Sequence, residues 1–228
     1  MTKPRIMIYK DFLPTDEWEA LKSCALANDS QFKPFPTNHG LRWRDYEHTR
    51  LKGVKYRKNY ILSDEEVRKI ESGEIEQIGY PPTEALGFWV FWPDDEHING
   101  IVSKCMDMTV DAVKDVWNEE VIYEFGNAIT KINTGGSMHL HCDGVFMETP
   151  GAFTHYASVY YLNDDYEGGE NIFPALGLQY KPMPNSLILF NNVWDEEMIH
   201  GINPVTSGSR YMMQAFFTPK PQHADTGN

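Results

Sequence analysis

From Glu120 onward the chain is a succession of short runs rich in Val, Ile, Leu, Tyr and Phe, each closed by Gly, Asn, Asp or Pro. No other feature constrains the fold as tightly. β-Branched and aromatic residues suit a pleated, packed surface, and the punctuating residues suit tight turns. The runs at 122–125, 128–133, 138–142, 156–162, 171–173, 178–181, 186–190, 198–204 and 210–218 read as strands. Many short strands joined by turns predict an antiparallel barrel or a double-sheet jelly roll.

The first half has a different texture. Residues 5–13 read as a short strand, and Pro14-Thr15-Asp16 opens a helix to about Ala27. Glu17 and Glu19 favour its positive N-terminal end. Residues 28–60 are polar, aromatic and Pro-containing, which predicts loops with short strands. Ser63-Asp64-Glu65-Glu66 is a capping-box pattern and predicts a short helix ending near Gly73. Between 95 and 117, Ile98, Ile101, Val102, Cys105, Met108, Ala112, Val113 and Val116 recur at helical spacing. Such a helix can brace a sheet from outside. The chain is therefore expected to be mainly β with supporting N-terminal helices.

A chain of 228 residues can bury a substantial core. Its net charge of −13 argues against general affinity for nucleic-acid phosphates or anionic membranes. Residues 42–58, RWRDYEHTRLKGVKYRK, go the other way, as either a solvated cationic loop or a docking strip for an acidic partner. Cys24, Cys105 and Cys142 form no paired or C-x-x-C pattern, so neither a disulfide framework nor a zinc cluster is expected. With no apolar leader at the N-terminus and no long apolar run, the expectation is a soluble, cytoplasmic protein.

The chemistry concentrates in His141-Cys142-Asp143, answered later by His200 and then Arg210. Residues two apart share a strand face, so His139, His141 and Asp143 face one way and Cys142 the other. His200 comes from another strand and joins them only if the β-core closes. Two imidazoles and one carboxylate form the facial triad of non-heme Fe(II) oxygenases, whereas sulfur ligands would suit zinc. An isolated H-x-D is common by chance; the later His and Arg give it weight. Arg210 adds a fixed cation, suited to a carboxylate that the metal does not neutralise, and so to a dicarboxylate co-substrate. His139 is a hydrogen-bond partner, a substrate contact or a satisfied polar residue.

The C-terminal motifs run in a recognisable order: Gly135, His141-Cys142-Asp143, Tyr160-Tyr161-Leu162-Asn163, residues 168–174 (GGENIFP), residues 186–190 (SLILF), then His200 and Arg210. This series, over roughly 120–218, resembles the Fe(II)/2-oxoglutarate-dependent dioxygenases, in particular their prolyl 4-hydroxylase-like branch. The resemblance implies a double-stranded β-helix, or jelly roll, with the metal at its open end. It implies one domain over 1–228, with 1–120 as support and substrate loops, 121–218 as the core and 219–228 as a flexible tail.

It further implies iron ligands His141, Asp143 and His200, and Arg210 and Tyr161 on the distal carboxylate of 2-oxoglutarate. Gln214, alternating with Arg210 and Met212, can line the same pocket. Relatives often carry a tyrosine near Ile132 or Asn133; here Lys131 or Asn133 is the candidate substitute. Ala157 stands where relatives often place a hydroxyl residue. Because Asp143 keeps the carboxylate, hydroxylation is expected rather than halogenation. The co-substrates implied are Fe(II), 2-oxoglutarate and O2, with ascorbate as stimulant.

The substrate implied is a prolyl residue of a peptide or protein. A free amino acid or small metabolite is the alternative, and a catalytically silent jelly-roll binding module is a third reading. His139 and Trp194 are candidate substrate contacts, and loops at 32–60, 88–92 and 144–153 are candidate walls and lid. The run Phe88-Trp89-Val90-Phe91-Trp92 can equally be core.

Overall fold

The computed structural model describes residues 3–34, 41–61, 65, 68, 69, 72–74, 87–125, 128–146, 155–191 and 196–220; for 41–46, 56–61, 124, 125 and 144–146 it describes the backbone alone. The predicted helix at 63–73 falls mostly outside these residues, as do Trp194, most of the loop at 144–153 and the tail from 221.

The elements in chain order are β1 (Ile6–Tyr9), α1 (Thr15–Ala27), β2 (Lys33–Pro34), β3 (Leu41–Glu47), β4 (Lys55–Ile61), β5 (Phe88–Phe91) and α2 (Glu96–Trp117). The β-rich half follows with β6 (Val121–Phe125), β7 (Ile129–Asn133), β8 (Met138–Phe146), β9 (Tyr156–Tyr161), β10 (Glu167–Gly168) and β11 (Asn171–Phe173). It ends with β12 (Leu178–Tyr180), β13 (Ser186–Asn191), β14 (His200–Ile202), β15 (Val205–Ser207) and β16 (Ser209–Pro219).

Two sheets face each other. The larger runs β1-β13-β9-β16-β7-β5-β2, with β6 also paired to β16; the smaller runs β12-β11-β14-β8-β4-β3. This is the jelly-roll core the strand pattern predicts. Every pairing within the two sheets is antiparallel except β4 against β8.

The large sheet is covered on both faces, so its central strands carry apolar residues on both. In β16, Tyr211, Met213, Ala215 and Phe217 pack outward with α1 and α2, while Met212 and Phe216 pack inward between the sheets. β13 divides in the same way, Leu187 and Leu189 outward, Ile188 and Phe190 inward. The inner layer joins Tyr161, Ile132 and Met212 of the large sheet to Phe173 and Ile202 of the small one.

α2 follows the predicted stripe with a small rotation. Met106 and Thr109 are buried, and Met108 and Val116 lie at the margin. Asp95 caps it by accepting from the Ile98 N–H at 3.0 Å. Thr109 is tolerated in the buried stripe because its hydroxyl donates to the Cys105 carbonyl at 2.8 Å. Among the described residues no helix is long and apolar enough to cross a membrane.

One expectation needs correction. Within 28–60 the chain forms two seven-residue strands, β3 and β4, rather than loops with short strands. Of the two readings of the aromatic run at 88–92, the core reading holds: residues 88–91 form β5 inside the large sheet, with Phe88, Val90 and Phe91 buried and Trp92 half exposed.

Candidate metal centre

β8 and β14 bring the three candidate ligands together. Their antiparallel register sets His200 directly opposite His141, and strand alternation puts Asp143 on the same face as His141. The close approach depends on Gly201, where a Cβ would lie 2.8 Å from the Met138 carbonyl oxygen. The ligand atoms of His141, Asp143 and His200 all lie within 4.8 Å of one another. His141 Nε2 is 3.0 Å from Asp143 Oδ1, and His200 Nε2 is 3.3 Å from Oδ2.

The hydrogen bonds on the far side of each ring decide what the near side offers. His141 Nδ1 lies 2.7 Å from the His139 carbonyl, and His200 Nδ1 lies 3.0 Å from the Met198 carbonyl. A carbonyl can only accept, so each Nδ1 carries the proton. In the neutral rings both Nε2 atoms then present lone pairs. Two lone pairs and a carboxylate converge on one point, which calls for positive charge there, a proton or a metal ion.

The same logic appears in the electrostatics. Burial opposes the charged form of Asp143, yet the neighbouring His200 charge and hydrogen bonds from both imidazoles outweigh it and hold the carboxyl far below its usual range. For His141, burial opposes the imidazolium, and Asp143 overcomes it to raise the group. His200 is further fixed by aromatic rings: Phe173 stacks on it at 5.3 Å, and Phe190 meets it edge-on at 4.9 Å.

Arg210 is fully buried. Its Nη1 donates to the Gly169 carbonyl at 2.5 Å, and its Nη2 donates to Asn171 Oδ1 at 3.0 Å and to the Tyr161 hydroxyl at 3.4 Å. Among the described residues it forms no ion pair, and its Nε–H has no acceptor. The Tyr161 oxygen accepts from both Asn171 Nδ2 and Arg210, so its own O–H remains to donate elsewhere. The Tyr166 hydroxyl is also buried and without a partner. Burial pushes Tyr166 up to about 12 and raises Tyr161, so both phenols are protonated donors near neutral pH. A buried cation with unused N–H and O–H donors is suited to a carboxylate.

The other candidates fall into place unevenly. Gln214 is half-buried on the Arg210 and Met212 face of β16. Asn133 and Lys131 flank the inward Ile132 and therefore point outward. Asn133 accepts from the Ser209 hydroxyl at 3.1 Å, and Lys131 pairs with Asp29 at 2.7 Å over the Phe32 ring. Strand alternation corrects the reading of Asn133, or Lys131, as a substitute contact. His139 is an exposed residue whose carbonyl supports His141. Trp194 lies outside the described residues. Asn171 and Tyr166 were missed; the signal for Asn171 was its place inside GGENIFP, on a strand paired with β14.

Comparison with known proteins agrees with this geometry. Residues 127–218 match the family described as the 2OG-Fe(II) oxygenase superfamily. Among curated proteins, prolyl 3-hydroxylase 2 of Homo sapiens is 33% identical over 78 residues, 32% of this chain. The matched stretch spans only 11% of that much longer protein, and the same holds for its Rattus norvegicus counterpart. Among solved structures, a viral collagen prolyl hydroxylase from Paramecium Bursaria Chlorella virus-1 superposes with a TM-score of 0.60 at 16% identity, covering 94% of this chain and 96% of the other. A Pseudomonas putida prolyl-4-hydroxylase gives 0.55 at 15% identity, covering 95% and 93%. These two likenesses establish the shared fold.

Proposed function

We propose that this chain, whose residues 127–218 belong to the 2OG-Fe(II) oxygenase superfamily, is an Fe(II)- and 2-oxoglutarate-dependent hydroxylase acting on prolyl residues of a peptide or protein. The observation that carries the reading is the convergence of two Nε2 lone pairs and one carboxylate, all nearly buried, within 4.8 Å. Bound Fe(II), with 2-oxoglutarate and O2, supplies the chemistry: one oxygen atom enters a C–H bond, the other enters succinate, and CO2 leaves.

The residues present fit those groups. His141, Asp143 and His200 would hold Fe(II) on one face. The carbonyls of His139 and Met198 keep both rings in the tautomer that ligation needs. Arg210 would hold the distal carboxylate of 2-oxoglutarate through its unused Nε–H, helped by the Tyr161 O–H. Gln214 shares the inward face of β16 and is a further candidate for that pocket. Phe173 and Phe190 keep water from one side of His200.

The prolyl substrate is supported by the names of the relatives described above, which are prolyl hydroxylases. Ascorbate would keep the iron ferrous between turnovers. The three cysteines form no disulfide among the described residues, which fits a reducing compartment such as the cytoplasm. The whole chain would act as one domain, residues 1–120 bracing the core.

The test is mass spectrometry of a proline-containing peptide library after incubation with Fe(II), 2-oxoglutarate and ascorbate in air. The expected result is peptides heavier by one oxygen, with the gain mapped to proline. Oxygen gained only by free amino acids, with no peptide modified, would overturn the prolyl-peptide assignment.

A further inference from the structure

The ligand His200 stands at the end of a turn that a distant part of the chain grips. Residues Glu196–Met198 form a single 3-10 turn just before it. The last carbonyl of that turn, on Met198, accepts from His200 Nδ1 at 3.0 Å. The first, on Glu196, accepts from the Ile199 N–H at 3.4 Å and faces His48 Nε2 at 3.2 Å.

His48 lies in the turn joining β3 to β4 and is only 3% exposed. The main-chain N–H groups of Arg50 and Leu51 both point at its Nδ1, each at 3.1 Å. Two donors there require a lone pair on Nδ1. The ring proton therefore sits on Nε2 and is donated to the Glu196 carbonyl. Around this bond the two turns are laced together. The Thr49 N–H donates to the Glu196 carboxylate at 3.1 Å, and the Thr49 hydroxyl donates to the same oxygen. Arg50 pairs with Glu197 at 2.6 Å, and Arg5 reaches that carboxylate at 3.3 Å.

We propose that His48 is a positioning residue for the metal centre: it ties the β3–β4 turn to the Glu196–Met198 turn, and so fixes where His200 sits and which nitrogen it presents. This rests on the metal reading above. The exposed ion pairs around it contribute little on their own. The His48 ring is buried and held at both nitrogens, so its bond sets the spacing between the two turns. The same hairpin reaches the second imidazole, because β4 runs parallel to β8 with Arg57 opposite His141. Two of the three ligands are thus placed by one hairpin.

The test is a Co(II) titration followed by visible absorption, with thermal unfolding in parallel, on the wild type, His48→Asn and Thr49→Val. Asn at 48 keeps an acceptor near Nδ1 for the Arg50 and Leu51 N–H groups but is too short to reach the Glu196 carbonyl. The expected result is roughly 10-fold weaker Co(II) binding and a shifted cobalt band, as for other groups that orient a ligand, with Tm near that of the wild type. Thr49→Val, on the exposed turn, should weaken Co(II) binding in the same direction by a smaller factor. Wild-type affinity and band in His48→Asn, whether or not Tm falls, would overturn the proposal. If His48→Asn does not fold, an unchanged Kd and band in Thr49→Val would overturn it instead. A wild type that binds no Co(II) would remove the metal reading itself, and this inference with it.

Discussion

Asp143→Asn is expected to abolish metal binding at this centre while leaving the jelly roll standing. The substitution keeps the shape of the side chain and removes its charge. In the wild type that charge survives burial because two imidazoles face it, His141 Nε2 at 3.0 Å and His200 Nε2 at 3.3 Å. An amide offers a metal ion only a weak neutral oxygen, and His141 and His200 alone hold the ion poorly. Losing a group that merely orients a ligand typically costs about 10- to 100-fold in affinity, so losing a ligand should exceed about 100-fold. Thermal unfolding with and without Co(II) reads this directly. Metal at 100 times its Kd stabilises the folded state by about 2.7 kcal/mol. The wild type should therefore show a clear rise in Tm, and Asp143→Asn almost none.

Arg210→Met should separate the two halves of the site: metal binding stays, 2-oxoglutarate binding goes. Arg210 is the cation at the floor of the inner layer and lacks an ion-pair partner among the described residues. Hydrogen bonds to charged groups contribute about 1.5–3 kcal/mol each. Losing the one such bond from the Arg210 Nε–H costs about 1.5–3 kcal/mol, roughly 10- to 100-fold in Kd. The effect on stability is smaller because two terms oppose. Met leaves the Gly169 carbonyl and Asn171 Oδ1 without their donor, which costs about 1–3 kcal/mol apiece. It also removes a buried, unpaired charge whose desolvation costs several kcal/mol. Calorimetric titration of the Co(II)-loaded protein with 2-oxoglutarate, beside a Co(II) titration of the same variant, checks both halves. Wild-type 2-oxoglutarate affinity in Arg210→Met would take Arg210 out of the pocket.

The parts of this fold that the sequence displays are those where burial writes a pattern. α2 is legible because one face is buried and the other wet, so its apolar residues recur at 3.6-residue spacing. β9, β11, β13 and β16 are legible as short runs dominated by apolar and aromatic residues and ended by turn residues. The cluster of His141, Asp143 and His200 is legible because His141 and Asp143 differ by one strand period, and because Arg210 follows His200 within the same ordered motifs.

Each miss has its own physical cause. β3 is the edge strand of the small sheet, where charged residues are favoured and apolar alternation fades, so RWRDYE reads as loop. The predicted strand at 198–204 shortens to β14 at 200–202, because the backbone before His200 coils into a turn and Pro204 interrupts the chain before β15. Asn133 was misassigned because β7, ITKIN, is packed on both sides and its sequence does not show which face is inward. Asn171 sits in a strand the sequence predicts, but a three-residue strand does not show which face its side chains take. Here it is held in place by Arg210 and Tyr161. His48 carries no motif at all; its partners lie 148 residues away in sequence and meet only in the fold.

The most direct test of the central claim is succinate release from 2-oxoglutarate by the purified protein in air with Fe(II) and ascorbate. The account predicts succinate formation that needs Fe(II), with slow uncoupled turnover even before a prolyl peptide is supplied, and no succinate from Asp143→Asn. Absence of succinate from the wild type under all these conditions, together with no metal binding by His141, Asp143 and His200, would contradict it.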